Sequence, residues 1–153
     1  MEGSHAIDIS RVDHIGIRVR DLTRALDFYR VLGFELHWKD EHDAVAILRN
    51  TRDVEINLIY NASSAGGGGN ILMDVPEKYP GFTHVALRVE SIADTIKALR
   101  NSDIRITQGP VSFGLDGHIS VFVRDPDSNV IELRGREQDL SSVGGVTAYE
   151  PEN

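Results

Sequence analysis

Four polar residues stand at matching points of an internal repeat, and their types suit metal chemistry. "DHIGIRVRDLTRALDFYRVLGFEL" begins at Asp13 and "THVALRVESIADTIKALRNSDIRI" at Thr83, with a constant offset of 70. His14 pairs with His84, Arg18 with Arg88 and Val19 with Val89. Two later stretches, "VEINLIY" and "NVIELRG", align on their Ile-x-Leu cores, so Asn57 matches Glu132. Two imidazoles and one carboxylate brought together form a 2-His-1-carboxylate set, which holds a divalent metal and leaves positions open for substrate. A lone histidine at a sheet edge does no more than hydrogen-bond. Two at homologous positions, with Glu132 between apolar neighbours, argue for a shared site. Asn57 is ambiguous, because its amide oxygen ligates a hard metal less strongly than a carboxylate. Glu55 lies on the same strand face and substitutes only if the register shifts. Otherwise it reads as a solvated edge charge.

These residues must be placed by elements, and the repeat predicts the same ones twice. Strands are expected at 12–19 and 82–89. In the first, Ile15, Ile17 and Val19 face a core, while His14, Gly16 and Arg18 face the other way. Asp21 and Ser91 are the expected helix N-caps. Helical spacing follows at Leu22, Ala25, Leu26, Tyr29 and at Ile92, Thr95, Ile96, Leu99. Gly33 ends the first helix. Three more strands are expected in each half, at 34–39, 43–49 and 53–60, then at 103–107, 117–124 and 129–134, with "DPDSN" as the last turn. The unit is βαβββ used twice, an α+β fold. One domain over 11–135 is expected, with module one at 11–61 and module two at 82–135. Between them lies a glycine-rich connection, 62–81, read as a flexible linker or flap. The tail, 136–153, is polar and acidic, expected to be disordered or packed on a partner.

Bulk properties narrow the function. The chain has 153 residues and a net charge of −8, which argues against a nucleic-acid partner. It has no cysteine, which excludes disulfides and thiolate chemistry. No apolar run approaches the ~18 residues of a membrane span, and no leader opens the chain, so no membrane partner and a cytoplasmic setting are expected. Met1 to His5 read as unstructured. His37 and His42 flank an acidic turn and read as solvent-facing, and His118 as a surface residue. Gly66 to Gly69 lack the context and the lysine of a phosphate loop.

Together, "DHIGIRVRDLTRALDFYRVLGFEL", "HVALRV" and "DPDSNVIEL" resemble the vicinal oxygen chelate superfamily, also called the glyoxalase/bleomycin-resistance/dioxygenase superfamily. The resemblance covers about 11–135. It implies a curved sheet of paired modules around a metal site, with one divalent ion (Ni, Zn, Mn or Fe), a small-molecule substrate and a homodimer. The chain looks most like the glyoxalase I (lactoylglutathione lyase) branch. That implies metal ligands at His14, Asn57, His84 and Glu132, with Glu132 also the catalytic base. Arg18 and Asn61 occupy the places that bind glutathione. One departure stands out: the branch has a carboxylate where this chain has Asn57. The resemblance leaves rivals. An extradiol dioxygenase uses only His14, His84 and Glu132, but Phe122 stands where such enzymes carry tyrosine. A fosfomycin-type transferase uses the same three positions. Methylmalonyl-CoA epimerases open on a similar "DHIGI" but carry a different turn before the last strand. A bleomycin-type drug-binding protein needs no metal, and retention of all three residues argues against it.

Overall fold

The computed structural model describes residues 5–65, 67–114, 117–136 and 143–150. Residues 1–4 and the tail segments 137–142 and 151–153 lie outside them, and with these most of the expectations for the chain start and part of those for the tail.

The first module runs β1 (Ile15–Arg18), α1 (Leu22–Val31), β2 (Glu35–Asp40), β3 (Val45–Arg49) and β4 (Glu55–Ile59). The second runs β5 (Val85–Arg88), α2 (Ile92–Asn101), β6 (Ile106–Ser112), β7 (His118–Arg124) and β8 (Val130–Arg136), and a short β9 (Thr147–Ala148) follows. Strand order is β1-β4-β3-β2 in one sheet and β5-β8-β7-β6-β9 in the other. In each module the first strand runs parallel to the last, and the rest alternate. The α+β architecture of two βαβββ modules is thus present.

Local chemistry accounts for the helices. Asp21 caps α1 by accepting from the Arg24 amide at 2.8 Å, and Ser91 caps α2 by accepting from the Asp94 amide at 3.1 Å. Gly33 leaves α1 at φ +91°, a backbone state that costs an L side chain about 1–2 kcal/mol. The repeat puts Asp103 at the equivalent point, and it takes the same left-handed turn at φ 56°.

Alternation sorts each sheet into two faces. Ala46, Leu48, Ile56 and Leu58 are fully buried, as are Ile119, Val121, Val123 and Ile131. With Tyr29, Phe34, Ile92 and Leu99 they form one cluster spanning both modules. The "DPDSN" turn binds the modules further. Asp125 is buried and accepts the Tyr29 hydroxyl at 2.8 Å, while Asn129 Nδ2 donates to the Arg18 carbonyl at 3.1 Å. Burial pushes the Asp125 carboxyl above the usual carboxylate range, although four hydrogen bonds favour its charge.

Two expectations need correction. The strands at 12–19 and 82–89 are shorter, so His14 and His84 stand just before β1 and β5 rather than inside them. The described part of the tail packs on its own module: Thr147 and Ala148 pair with Val111 and Ser112, and Val143 is buried. The connection carries no strand or helix among its described residues, yet it is pinned. Arg20 donates to the Ser63 and Gly67 carbonyls at 2.8 and 2.6 Å, and Arg124 grips Asp74 through two bonds of 2.9 Å. Guanidinium groups satisfy carbonyls that the glycine-rich sequence cannot pair in a ladder.

Candidate metal centre

The sheet faces turned away from the core carry the expected polar residues. On β8, Glu132 is buried among apolar neighbours, with only 8% of its side chain exposed. A carboxylate there must be paired. Ser120 Oγ on β7 donates to Oε1 at 2.6 Å, and His84 Nε2 lies 3.1 Å from Oε2. Thr83 Oγ1 lies 2.9 Å from the other ring nitrogen. His84 Nε2 and Glu132 Oε2 therefore face each other on the open side of the module.

Module one presents a second pair. His14 Nδ1 donates to Asp13 Oδ1 at 2.7 Å and lies 3.8 Å from Glu55 Oε2. The hydrogen bond from His14, with its charge, holds the Asp13 carboxyl below the usual carboxylate range. Arg49 Nε donates to Glu55 Oε1 at 2.9 Å. Asp13, His14 and Glu55 offer three ligand atoms within 4.8 Å of one another. The register pairs Gly16 with Asn57 and Ala86 with Glu132. Asn57 Oδ1 is buried and accepts no hydrogen bond. Such an acceptor calls for a donor or a cation.

These donors suit a divalent ion: two imidazoles, two carboxylates with limited exposure, and an orphaned amide oxygen on the same face. Within one chain they form two pairs. Among the described residues, His14, His84 and Glu132 do not come within 4.8 Å of one another as one set. Both histidines line a cleft of about 480 Å³ between the starts of β1 and β5, and Arg18 lines it too. A second cleft of similar size covers the module-two face, lined by His84, Glu132, Phe113, Phe122 and Tyr149.

Arg18 is exposed, and among the described residues its guanidinium has no hydrogen-bonding or ionic partner. Asn61 follows β4 next to it, since Val19 accepts from the Ala62 amide at 3.1 Å and donates to Ile59 at 2.9 Å. Sequence reasoning missed Asp13, Arg49 and Ser120 as partners of the metal-type residues. The adjacency of Asp13 to His14 was the available signal. Ser120 left none, because the alignment that pairs Asn57 with Glu132 places it against the apolar Val45.

Paired βαβββ modules, each presenting a histidine–carboxylate pair on its open face, define a two-module scaffold. The chain belongs to the Glyoxalase/Bleomycin resistance protein/Dioxygenase superfamily, whose family model matches residues 11–133. It is 32% identical to lactoylglutathione lyase of Escherichia coli O157:H7, over 80% of this chain and 90% of that protein. It is 31% identical to lactoylglutathione lyase of Haemophilus influenzae, over 86% of this chain and 96% of that protein. Lactoylglutathione lyase from Agrobacterium tumefaciens shares the fold with a TM-score of 0.60 at 19% identity, over 83% of this chain and 94% of that one. Superfamily members generally use a divalent metal.

Proposed function

We propose that this protein is a metal-dependent lyase/isomerase of glyoxalase type, acting on the hemithioacetal of glutathione and a 2-oxoaldehyde. The observation that carries the reading is the buried Glu132, pinned by Ser120 and turned toward His84. His14, His84 and Glu132 are the ligands in this reading, with Asn57 as the fourth position implied by the family pattern. When bound, a divalent ion (Ni, Zn, Mn or Fe) polarises the substrate's oxygens and lowers the cost of removing the adjacent proton. Glu132 takes that proton from the hemithioacetal carbon at one carboxylate oxygen and returns it to the neighbouring carbon. Net composition is unchanged, as an isomerisation requires. Arg18 and Asn61 hold the glutamyl carboxylate, for which an unpartnered guanidinium is suited because it engages both oxygens.

A homodimer and a cytoplasmic setting are part of this reading. β1 and β5 are both edge strands, and Val12 and Phe82 beside them are 75% and 97% exposed. A second copy would cover these edges. Among the described residues no helix is long and apolar enough to cross a membrane.

Elemental analysis tests the metal. Purified protein is expected to hold about one divalent ion per complete site, and His84→Ala to lose most of it. A wild-type protein that takes up none of the four ions supports drug binding instead. One observation favours a second reading: the rings of Phe122 and Phe113 lead from His84 to Tyr149, with centroids 5.8, 6.2 and 4.8 Å apart. An aromatic wall suits a catechol, so oxygen consumption by the Fe(II) form with catechol would favour a dioxygenase.

A further inference from the structure

The two modules meet at two equivalent corners, and only one is filled. Where the "DPDSN" turn enters module one, Tyr29 closes the gap. Its ring is fully buried and its hydroxyl donates to Asp125 Oδ2 at 2.8 Å. Arg20 Nη1 and Asp127 Oδ1 pair beside it at 3.3 Å. The repeat sets Leu99 against Tyr29, and the alignment of Asn57 with Glu132 sets Asn50 against Asp125 and Arg52 against Asp127. The opposite corner copies this framework. Asn50 Oδ1 accepts the Arg52 and Val54 amides at 3.0 and 2.9 Å, just as Asp125 Oδ1 accepts the Asp127 and Asn129 amides at 2.9 Å. Arg52 pairs with Glu90 at 3.1 Å, repeating the Arg20–Asp127 bridge with its charges exchanged. What this corner lacks is the ring and its hydroxyl. Leu99 supplies neither, and a cleft of about 380 Å³ lies there, within the range of small-molecule sites.

We propose that this cleft, between α2 and the turn joining β3 to β4, is a ligand site separate from the metal centre and takes a small aryl carboxylate. It shares no lining residue with the clefts at His14, His84 and Glu132. Leu32, Phe34, Leu87 and Leu99 line it and suit a flat apolar body, the part Tyr29 plays at the filled corner. The polar lining calls for an acceptor. With Oδ1 fixed by two amides, Asn50 presents Nδ2, a donor with no partner among the described residues. At the filled corner the equivalent atom is Asp125 Oδ2, which accepts from Tyr29. Arg88 also lines the cleft, and its guanidinium has no hydrogen-bonding or ionic partner among the described residues. Glu90 and Arg52 at the rim offset each other's charge, at 83% and 72% side-chain exposure. A cation and an amide donor therefore border an apolar floor, and a guanidinium engages both oxygens of a carboxylate. A ligand here bridges α2 and β5 of one module to the β3–β4 turn of the other. It supplies the contact that Tyr29 and Asp125 make across the first corner.

The test is titration of the full-length protein with phenylacetate, followed by calorimetry and by amide chemical shifts. Saturable binding at one site is expected, with a Kd of about 1 mM or tighter. The shift changes are expected to centre on residues 50, 87–90 and 95–99. Benzyl alcohol and benzylamine, which keep the ring without the carboxylate, are expected to bind more weakly. Arg88→Ala is expected to lower affinity for phenylacetate roughly ten- to a hundredfold, the worth of one charge-assisted contact. Leu99→Tyr restores the residue of the filled corner and is expected to abolish binding. If that buried position rejects the ring and the variant fails to fold, Ala98→Phe fills the cleft from an exposed position on the same helix, and the same loss is expected. No saturable binding by wild type overturns the assignment. So do shifts centred on residues 14–18, equal affinity for benzylamine, or wild-type affinity in Arg88→Ala or folded Ala98→Phe. None of these outcomes touches the metal reading, which elemental analysis tests separately.

Discussion

Arg18 is the residue whose surroundings speak most directly to substrate. An arginine on an open sheet face normally finds an acid, and this one has none among the described residues. If it holds a carboxylate remote from the reacting carbons, it binds ground and transition states alike. Arg18→Ala is then expected to raise KM roughly ten- to a hundredfold with kcat nearly unchanged, the value of one charge-assisted contact, about 1.5–3 kcal/mol. Steady-state kinetics with the glutathione hemithioacetal reads this split, and a fall in kcat at constant KM would place Arg18 in the chemistry instead.

Among the elements, β6 carries a constraint that reaches the site. Gly109 sits at φ +93°, and a Cβ there would lie 2.5 Å from the Ser120 carbonyl oxygen. Ser120 is the residue whose hydroxyl pins Glu132. Gly109→Ala is therefore expected to cost roughly 1–3 kcal/mol of stability through overpacking, read as a lowered thermal midpoint, and to weaken metal binding in parallel. Unchanged metal affinity in the destabilised variant would show that the Ser120 anchor is dispensable. The repeat made much at this scale legible: both N-caps, the α1 terminator and the polar faces follow from residue type and the internal repeat. Register exposes what the offset concealed. Setting His14 opposite Glu55 depends on where β1 meets β4, and no local pattern encodes that. The return of residues 147–148 to β6 is likewise a non-local pairing, written in an otherwise polar tail. The connection's order comes from Arg20 and Arg124, distant in sequence from the carbonyls and carboxylate they hold.

At the scale of the whole molecule, the two histidine–carboxylate pairs and two uncovered edge strands point in one direction. Sedimentation is expected to find a dimer for wild type and a monomer for Phe82→Glu, since a charge on that exposed ring position opposes burial of the edge. A wild-type monomer that holds its full metal complement would locate the complete centre within one chain. The central claim is that this scaffold isomerises a glutathione hemithioacetal through Glu132. It is tested most directly by the rate of thioester absorbance growth when protein loaded with Ni, Zn, Mn or Fe meets the methylglyoxal–glutathione adduct. The account predicts turnover with at least one of these ions and none in Glu132→Gln. Absence of thioester with all four ions, or equal turnover in the Glu132 variant, would contradict it.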